Sequence, residues 1–186
     1  TTAVSGGQAT SQSNDTLTAP AAIDTSNGKQ PGESVNAAAK GFSIAPIITG
    51  YLSLKNALVS DDDKAAAGAG KKLLAALNQV DMKAIPADKH KKYMDIADDA
   101  KEHAEHIGAN VGNIHHQREH LSSLSEDLKD LIDLFGTSQT LYQDHCPMFN
   151  DGKGAVWFSE NKEIKNPYYG SKMLTCGKVQ QTINSK

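Results

Sequence analysis

The sequence predicts a mainly α domain: an up-down-up-down four-helix bundle with a C-terminal strand, hairpin or loop appendage. Three observations carry that expectation. Apolar residues recur at spacings of three and four in four successive windows between about 47 and 135. Short connections marked by acids, proline and glycine separate the windows, which favours antiparallel neighbours. After Gly136 the helical period stops, and β-branched and aromatic patches alternate with turn residues.

Taken in order, the first helix is expected near 47–60, with Ile47, Tyr51, Leu54 and Leu58 on one face. Asp61-Asp62-Asp63 supplies a cap and favourable negative charge for a second helix near 62–80. Its stripe is Ala66, Leu73, Leu74, Leu77 and Val80, with small alanines that allow close approach. Pro86 ends the connection to a third helix near 88–108, whose apolar face is Tyr93, Ile96, Ala97, Ala100, Ala104 and Ile107. Gly108 and Gly112 are expected to break the chain, and Asn113 to cap a fourth helix near 113–135. Ile114, Leu121, Leu124, Leu128, Leu131 and Phe135 line that helix up to Gly136.

Residues 1–42 read differently. Ser, Thr, Gly, Asn, Gln, Asp and Ala dominate, with almost no large apolar side chain to offset the entropy of ordering. This segment is expected to be a flexible low-complexity linker or tether, or else a disordered leader. Residues 43–186 form the helical domain, with the cysteine- and methionine-bearing appendage starting at about 137. The chain begins at Thr1, so a signal segment is expected to have been removed. A net charge of −3 offers no basic field for nucleic acid or anionic lipid. No stretch approaches the roughly 18 apolar residues of a membrane span.

The soft-ligand chemistry is concentrated near the C-terminus. His145-Cys146-Pro147-Met148 and Met173-Leu174-Thr175-Cys176 hold both cysteines and two of the four methionines. Thiolate and thioether sulfurs prefer Cu(I), with Zn(II) or another soft metal behind it. If residues 142–148 are extended, Cys146 and Met148 share a side and His145 points the other way. Met173 and Cys176, three apart, share one face of a turn. The candidate ligands are therefore Cys146, Met148, Met173 and Cys176, with His145 as a substitute, and Trp157, Tyr168 and Tyr169 can wall off water. The competing reading is a structural Cys146–Cys176 disulfide. It would close a loop of about 31 residues and stabilise by roughly 3–4 kcal/mol.

A resemblance rests on particular residues. Tyr51 through Val59, the Gln117-Arg118 pair, Leu124-Ser125, and the tail from Asn166 to Gly177 (Asn-Pro-Tyr-Tyr-Gly-Ser-Lys-Met-Leu-Thr-Cys-Gly) resemble a bacterial domain-of-unknown-function family, over roughly residues 45–182. Members of that family occur alone or attached to periplasmic adaptor (membrane-fusion) proteins of heavy-metal efflux pumps. Separately, Tyr142 through Met148 is similar to the aromatic-x-Cys-Pro-Met motif of small heavy-metal-binding domains in copper transporters. It departs by placing Asp144-His145 before the cysteine and lacking the following His-Pro. Together the resemblances imply metal handling in the cell envelope, with a periplasmic or envelope-tethered location. Efflux adaptor or pump components are the implied partners.

A second candidate metal set is His103, His106, His116 and His120. The first two are spaced i,i+3 and the last two i,i+4. An antiparallel third and fourth helix would place His106 near His115 or His116, and His103 nearer His120. Such imidazoles suit Zn(II) or Cu(II), with Glu102, Glu105 and Glu119 as oxygen donors or outer partners. Otherwise the group is the hydrophilic end of a helical hairpin. The chain has no His-Glu-x-x-His, no Cys-x-x-Cys, no Gly-x-Ser-x-Gly and no phosphate loop, so it does not read as an enzyme. Three functions follow as expectations: a soft-metal accessory of heavy-metal efflux, a structural or adaptor helical module stapled by a disulfide, and a thiol redox protein.

Overall fold

The computed structural model describes residues 42–185. Of the linker expected over residues 1–42, residues 1–41 lie outside the described residues. Phe42 belongs to the folded part, with its ring 4.5 Å from Phe135 and 5.9 Å from Tyr93.

Among the described residues, four α-helices precede a small sheet. Helix α1 spans Ala45–Val59 and starts with a proline in its first turn, where the missing N–H costs nothing. It buries Ile47, Ile48, Tyr51, Leu54, Lys55 and Leu58. Helix α2 spans Asp63–Asn78, and Asp62 caps it by accepting the Ala65 N–H at 2.8 Å. Helix α3, His90–Ala109, follows two short 3-10 turns around Pro86. Helix α4 spans Ile114–Phe135, with Asn113 capping through His116 N–H as the sequence implied. Gly136, at φ +80°, closes it by donating to the Ile132 carbonyl.

Gly108 corrects one expectation. It does not break the chain but lies inside the last turn of α3. The reason is a close helix crossing rather than a turn. A Cβ on Gly70 of α2 would sit 3.0 Å from the Ala104 carbonyl oxygen and 3.1 Å from the Gly108 nitrogen. The two bare backbones therefore let α2 and α3 approach closely.

Consecutive helices pack on one another, α1 on α2, α2 on α3 and α3 on α4. The C-terminal segment adds an antiparallel sheet of β1 (Leu141–Cys146), β2 (Ala155–Ser159) and β3 (Lys178–Ile183), in the order β2-β1-β3. The chain is thus mainly α with a strand appendage. The sheet is joined to the helices at a buried polar knot. Tyr51 on α1 shares a 2.7 Å hydrogen bond with Ser125 on α4 and accepts the Phe158 N–H of β2 at 3.2 Å. Trp157 and Phe158 of β2 are fully buried in the same core as Leu121 and Leu128. Among the described residues no helix is long and apolar enough to cross a membrane.

Candidate metal centres

The sheet register brings the two cysteines together. β1 ends at Cys146, and β3 enters with Lys178 opposite His145, so the turn just before β3 reaches the same end of the sheet. Three hydrogen bonds close that turn. The Cys176 N–H donates to the Met173 carbonyl (3.0 Å), the Asn166 N–H to the Leu174 carbonyl (2.8 Å), and Asn166 Nδ2 to the Cys176 carbonyl (2.7 Å). Both cysteines are free thiols, Cys146 fully buried and Cys176 half-buried. The thiols are in hydrogen-bond contact. Desolvation, the neighbouring Cys146 charge and that hydrogen bond all push the Cys176 thiol up. This is the opposite of the lowered pKa that activates a thiol for exchange. The Tyr169 phenol is pushed up by desolvation and then by Cys146 and Cys176, which places it beside the pair. Its hydroxyl donates to the Met148 carbonyl at 3.0 Å.

The other expected ligands of this set differ from the thiols in burial. The extended stretch stops at Cys146, and Pro147 opens a turn. The alternation that would put Met148 on the side of Cys146 therefore does not reach it, because the proline ends the strand. Met148 is 54 % exposed and Met173 37 % exposed, so both thioethers lie at the surface beside the pair in sequence. His145 is half-buried, and its Nδ1 is buried without a hydrogen-bond partner. Tyr168 lies deeper, stacked on Phe149 at 4.4 Å and edge-on to Trp157 at 6.0 Å.

Arg118 holds this loop to the helices. From α4 its Nε donates to the Pro167 carbonyl (2.7 Å), and its Nη2 donates to the Leu58 carbonyl (2.9 Å) and Asp61 Oδ1 (2.6 Å). The other Asp61 oxygen accepts the Ser171 N–H at 2.9 Å. Hydrogen bonds from Ser171 and Arg118 hold the Asp61 carboxyl down at about 2. Gly170 must be glycine here: its φ is +53°, and a Cβ would run into Asp61 Oδ1 and Arg118 Nη2.

A buried acid underlies the thiol strand. Asp144 on β1 is fully buried, and neither carboxylate oxygen has a hydrogen-bond partner. Burial raises it to about 7, against an opposing pull from Lys55. Lys55 is itself buried and pairs with Glu160 at 2.9 Å.

The second set gathers on α3 and α4, whose pairing brings residues from both sides of the 110–113 turn face to face. One ligand nitrogen each of His106, His116 and His120 lies within 4.8 Å of the other two. The His106 and His120 rings stack at 4.5 Å, and His116 meets His120 edge-on at 4.5 Å. His103 Nδ1 lies 3.1 Å from His120 Nδ1. His115 stays outside the cluster, 80 % exposed at its side chain and paired with Glu119 at 3.2 Å. Burial, and then the neighbouring His116, His106 and His103, depress His120 to about 4. Burial also lowers His103.

One participant was not among the sequence candidates. Asp127 Oδ2 lies 3.9 Å from His103 Nε2 and is buried without a hydrogen bond. Desolvation, then Asp99, Asp130 and Glu126, raise Asp127 to about 7. The signal was available in the spacing: Asp127 lies seven positions after His120, two turns along one helix face. Glu119 does touch the cluster, 3.4 Å from His116 Nδ1, whereas Glu102 acts on His103 only through its charge.

Four helices with a sheet that presents two thiols define a mainly α domain carrying two candidate metal centres. The family model described as "Protein of unknown function (DUF3347)" matches residues 47–140. That is half of the chain, and the chain belongs to this family. The match spans the helices and the histidine cluster and ends before β1, so the thiol-bearing tail lies beyond it. No curated protein and no solved structure matches the chain.

Proposed function

We propose that this domain binds a soft metal ion, Cu(I) or a cation like it, as cargo through Cys146 and Cys176, and serves as an envelope accessory of heavy-metal efflux. The observation that carries the reading is the meeting of two free thiols from distant segments at one end of the sheet. A pair of thiolates is a strong donor set for Cu(I), which is stable at low coordination number with soft ligands. Met148 and Met173, exposed and only two and three residues from the cysteines in sequence, are the proposed weaker thioether donors, with His145 as a substitute. Tyr169 and the core beneath β2 shield the sulfurs on the protein side, as soft-metal sites require.

The envelope location and the efflux adaptor or pump as partner rest on the resemblance carried by the tail motifs from Asn166 to Gly177 and by the Cys-Pro-Met run. The consecutive packing of the helices supports an up-down-up-down four-helix bundle as the frame that presents the site. No enzymatic role enters this reading.

A second reading has an observation of its own. Thiols in contact, one of them fully buried, also suit a structural bridge in an adaptor module. Thiol titration of the native and the denatured protein, isolated without reductant, separates the two. Two titratable thiols per chain after denaturation support the metal reading. None before or after denaturation favours the staple.

A further inference from the structure

The pairing of α3 with α4 does more than pack apolar stripes. At the end near the 110–113 turn, the face between these helices carries imidazoles from both. Histidines on a helical surface ordinarily point apart into water, but here three approach one point from two elements. His116 and His120 are one turn apart on α4, and His106 comes from α3. The axial order matters as well: His103 lies one turn deeper on α3 and meets His120 from the interior side.

We propose that His106, His116 and His120 form a binding site for a divalent zinc or copper ion, separate from the thiol pair, with His103 and Asp127 as positioning residues behind it. Three neutral imidazoles with one open position are a common donor set for such ions. Nitrogens about 2.0–2.1 Å from a tetrahedral ion stand about 3.3 Å from one another. The three nitrogens already lie within 4.8 Å of each other. Side-chain rotation is the motion that would close the remainder, with His106 exposed and His116 and His120 half-exposed.

The outer groups fit the same purpose. Metal-ligating histidines usually anchor their second nitrogen on a carboxylate, a carbonyl or another polar group, which fixes ring orientation. Here His120 has His103 at 3.1 Å, and His103 in turn faces Asp127 at 3.9 Å. The Asp127 oxygen in that chain is buried and lacks any other partner, a poor arrangement for a purely structural acid. A cation bound at the three imidazoles would be stabilised by that carboxylate through His103. Glu119 already touches His116 and lies at the solvent side, where it can release the ring as the ion binds.

The test uses the full chain with Cys146→Ser and Cys176→Ser, so that the thiols contribute nothing and failure of the soft-metal reading is scored separately. Zinc is titrated by calorimetry, and cobalt(II) is followed in the visible as a geometric probe. One zinc per chain is expected, with tetrahedral cobalt d–d bands and no sulfur-to-cobalt charge transfer. His106→Ala, His116→Ala and His120→Ala should each weaken binding at least tenfold, with circular dichroism confirming the helices. His115→Ala should leave binding unchanged. Asp127→Asn should weaken binding by roughly 10–100-fold, the usual cost of losing an outer partner.

In the unsubstituted protein, zinc should shift the imidazole resonances of His106, His116 and His120 and leave those of His90 and His115 in place. That measurement keeps the test valid if any variant fails to fold. Absence of zinc binding in the cysteine-free chain overturns the proposal. So do unaltered affinity in the three alanine variants and zinc shifts confined to other histidines.

Discussion

Arg118 on α4 and Asp61 at the end of α1 form a 2.6 Å ion pair that decides where the C-terminal loop sits. The same guanidinium grips the Pro167 and Leu58 carbonyls, and the same carboxylate receives Ser171. One side chain thus ties α4, the end of α1 and the loop that leads to Cys176. The Arg118 side chain is only 9 % exposed, so these hydrogen bonds are largely out of water.

Replacing Arg118 with Ala is expected to cost about 2–4 kcal/mol, because it leaves two carbonyls and a carboxylate without their donor. Arg118→Lys should recover only part of this, since an ammonium cannot reproduce the fork. Urea unfolding gives the cost, and hydrogen exchange at the Ser171 amide should quicken in both variants. A loss under about half a kcal/mol would show that the loop is held elsewhere.

Leu128 stands on the α4 face that supports β2 and is 2 % exposed. Leu128→Ala should destabilise by roughly 2–5 kcal/mol through lost burial and the cavity left behind. Equilibrium unfolding measures this directly, and an effect within experimental error would mean that α4 presents another face to the sheet.

Asp144 makes the stability depend on pH. Its folded value is about 7 against an ordinary 3.8, so the folded chain holds a proton that the unfolded chain releases between about pH 4 and 7. Its contribution therefore favours the fold at the acid end of that window and is lost as the pH rises through about 7. Asp144→Asn should shift relative stability in favour of the variant as pH increases across the same range. Thermal melting at several pH values checks it, and a constant difference between variant and parent would exclude Asp144 as the source.

Much of the helical architecture was legible because burial follows the helical period. Tyr51, Leu54 and Leu58 on α1, and Leu121, Leu124, Leu128 and Leu131 on α4, are buried as their spacing requires. Asp62 and Asn113 cap where the sequence placed caps. Gly108 misled because glycine serves both turns and close crossings, and only the partner helix distinguishes them.

At the candidate sites, helical spacing placed His103 beside His120 correctly, since a short turn between antiparallel helices fixes that register. It left His115 and His116 undecided, because adjacent helix positions differ by about 100° and only packing chooses. Cys146 and Cys176 were grouped by composition, but their contact depends on the pairing of β3 with β1, which is a long-range property. The alternation read across Tyr142 to Met148 stops at Cys146, because β1 ends there and Pro147 opens a turn. Arg118 and Asp144 are ordinary letters in the sequence, and their roles arise from partners that only the fold assembles.

The most direct measurement of the soft-metal reading is competition for Cu(I) between the protein and a Cu(I) chelator under reducing conditions. It is made with the full chain, with Cys146→Ser and with Cys176→Ser. The reduced protein should remove one Cu(I) per chain from the chelator, each cysteine variant should lose this ability, and Met148→Leu should only weaken it. Affinity should also fall as the pH is lowered, since the thiols must shed protons to bind. Equal competition by the parent and both cysteine variants, or none by any of them, would contradict Cu(I) binding at the Cys146–Cys176 pair.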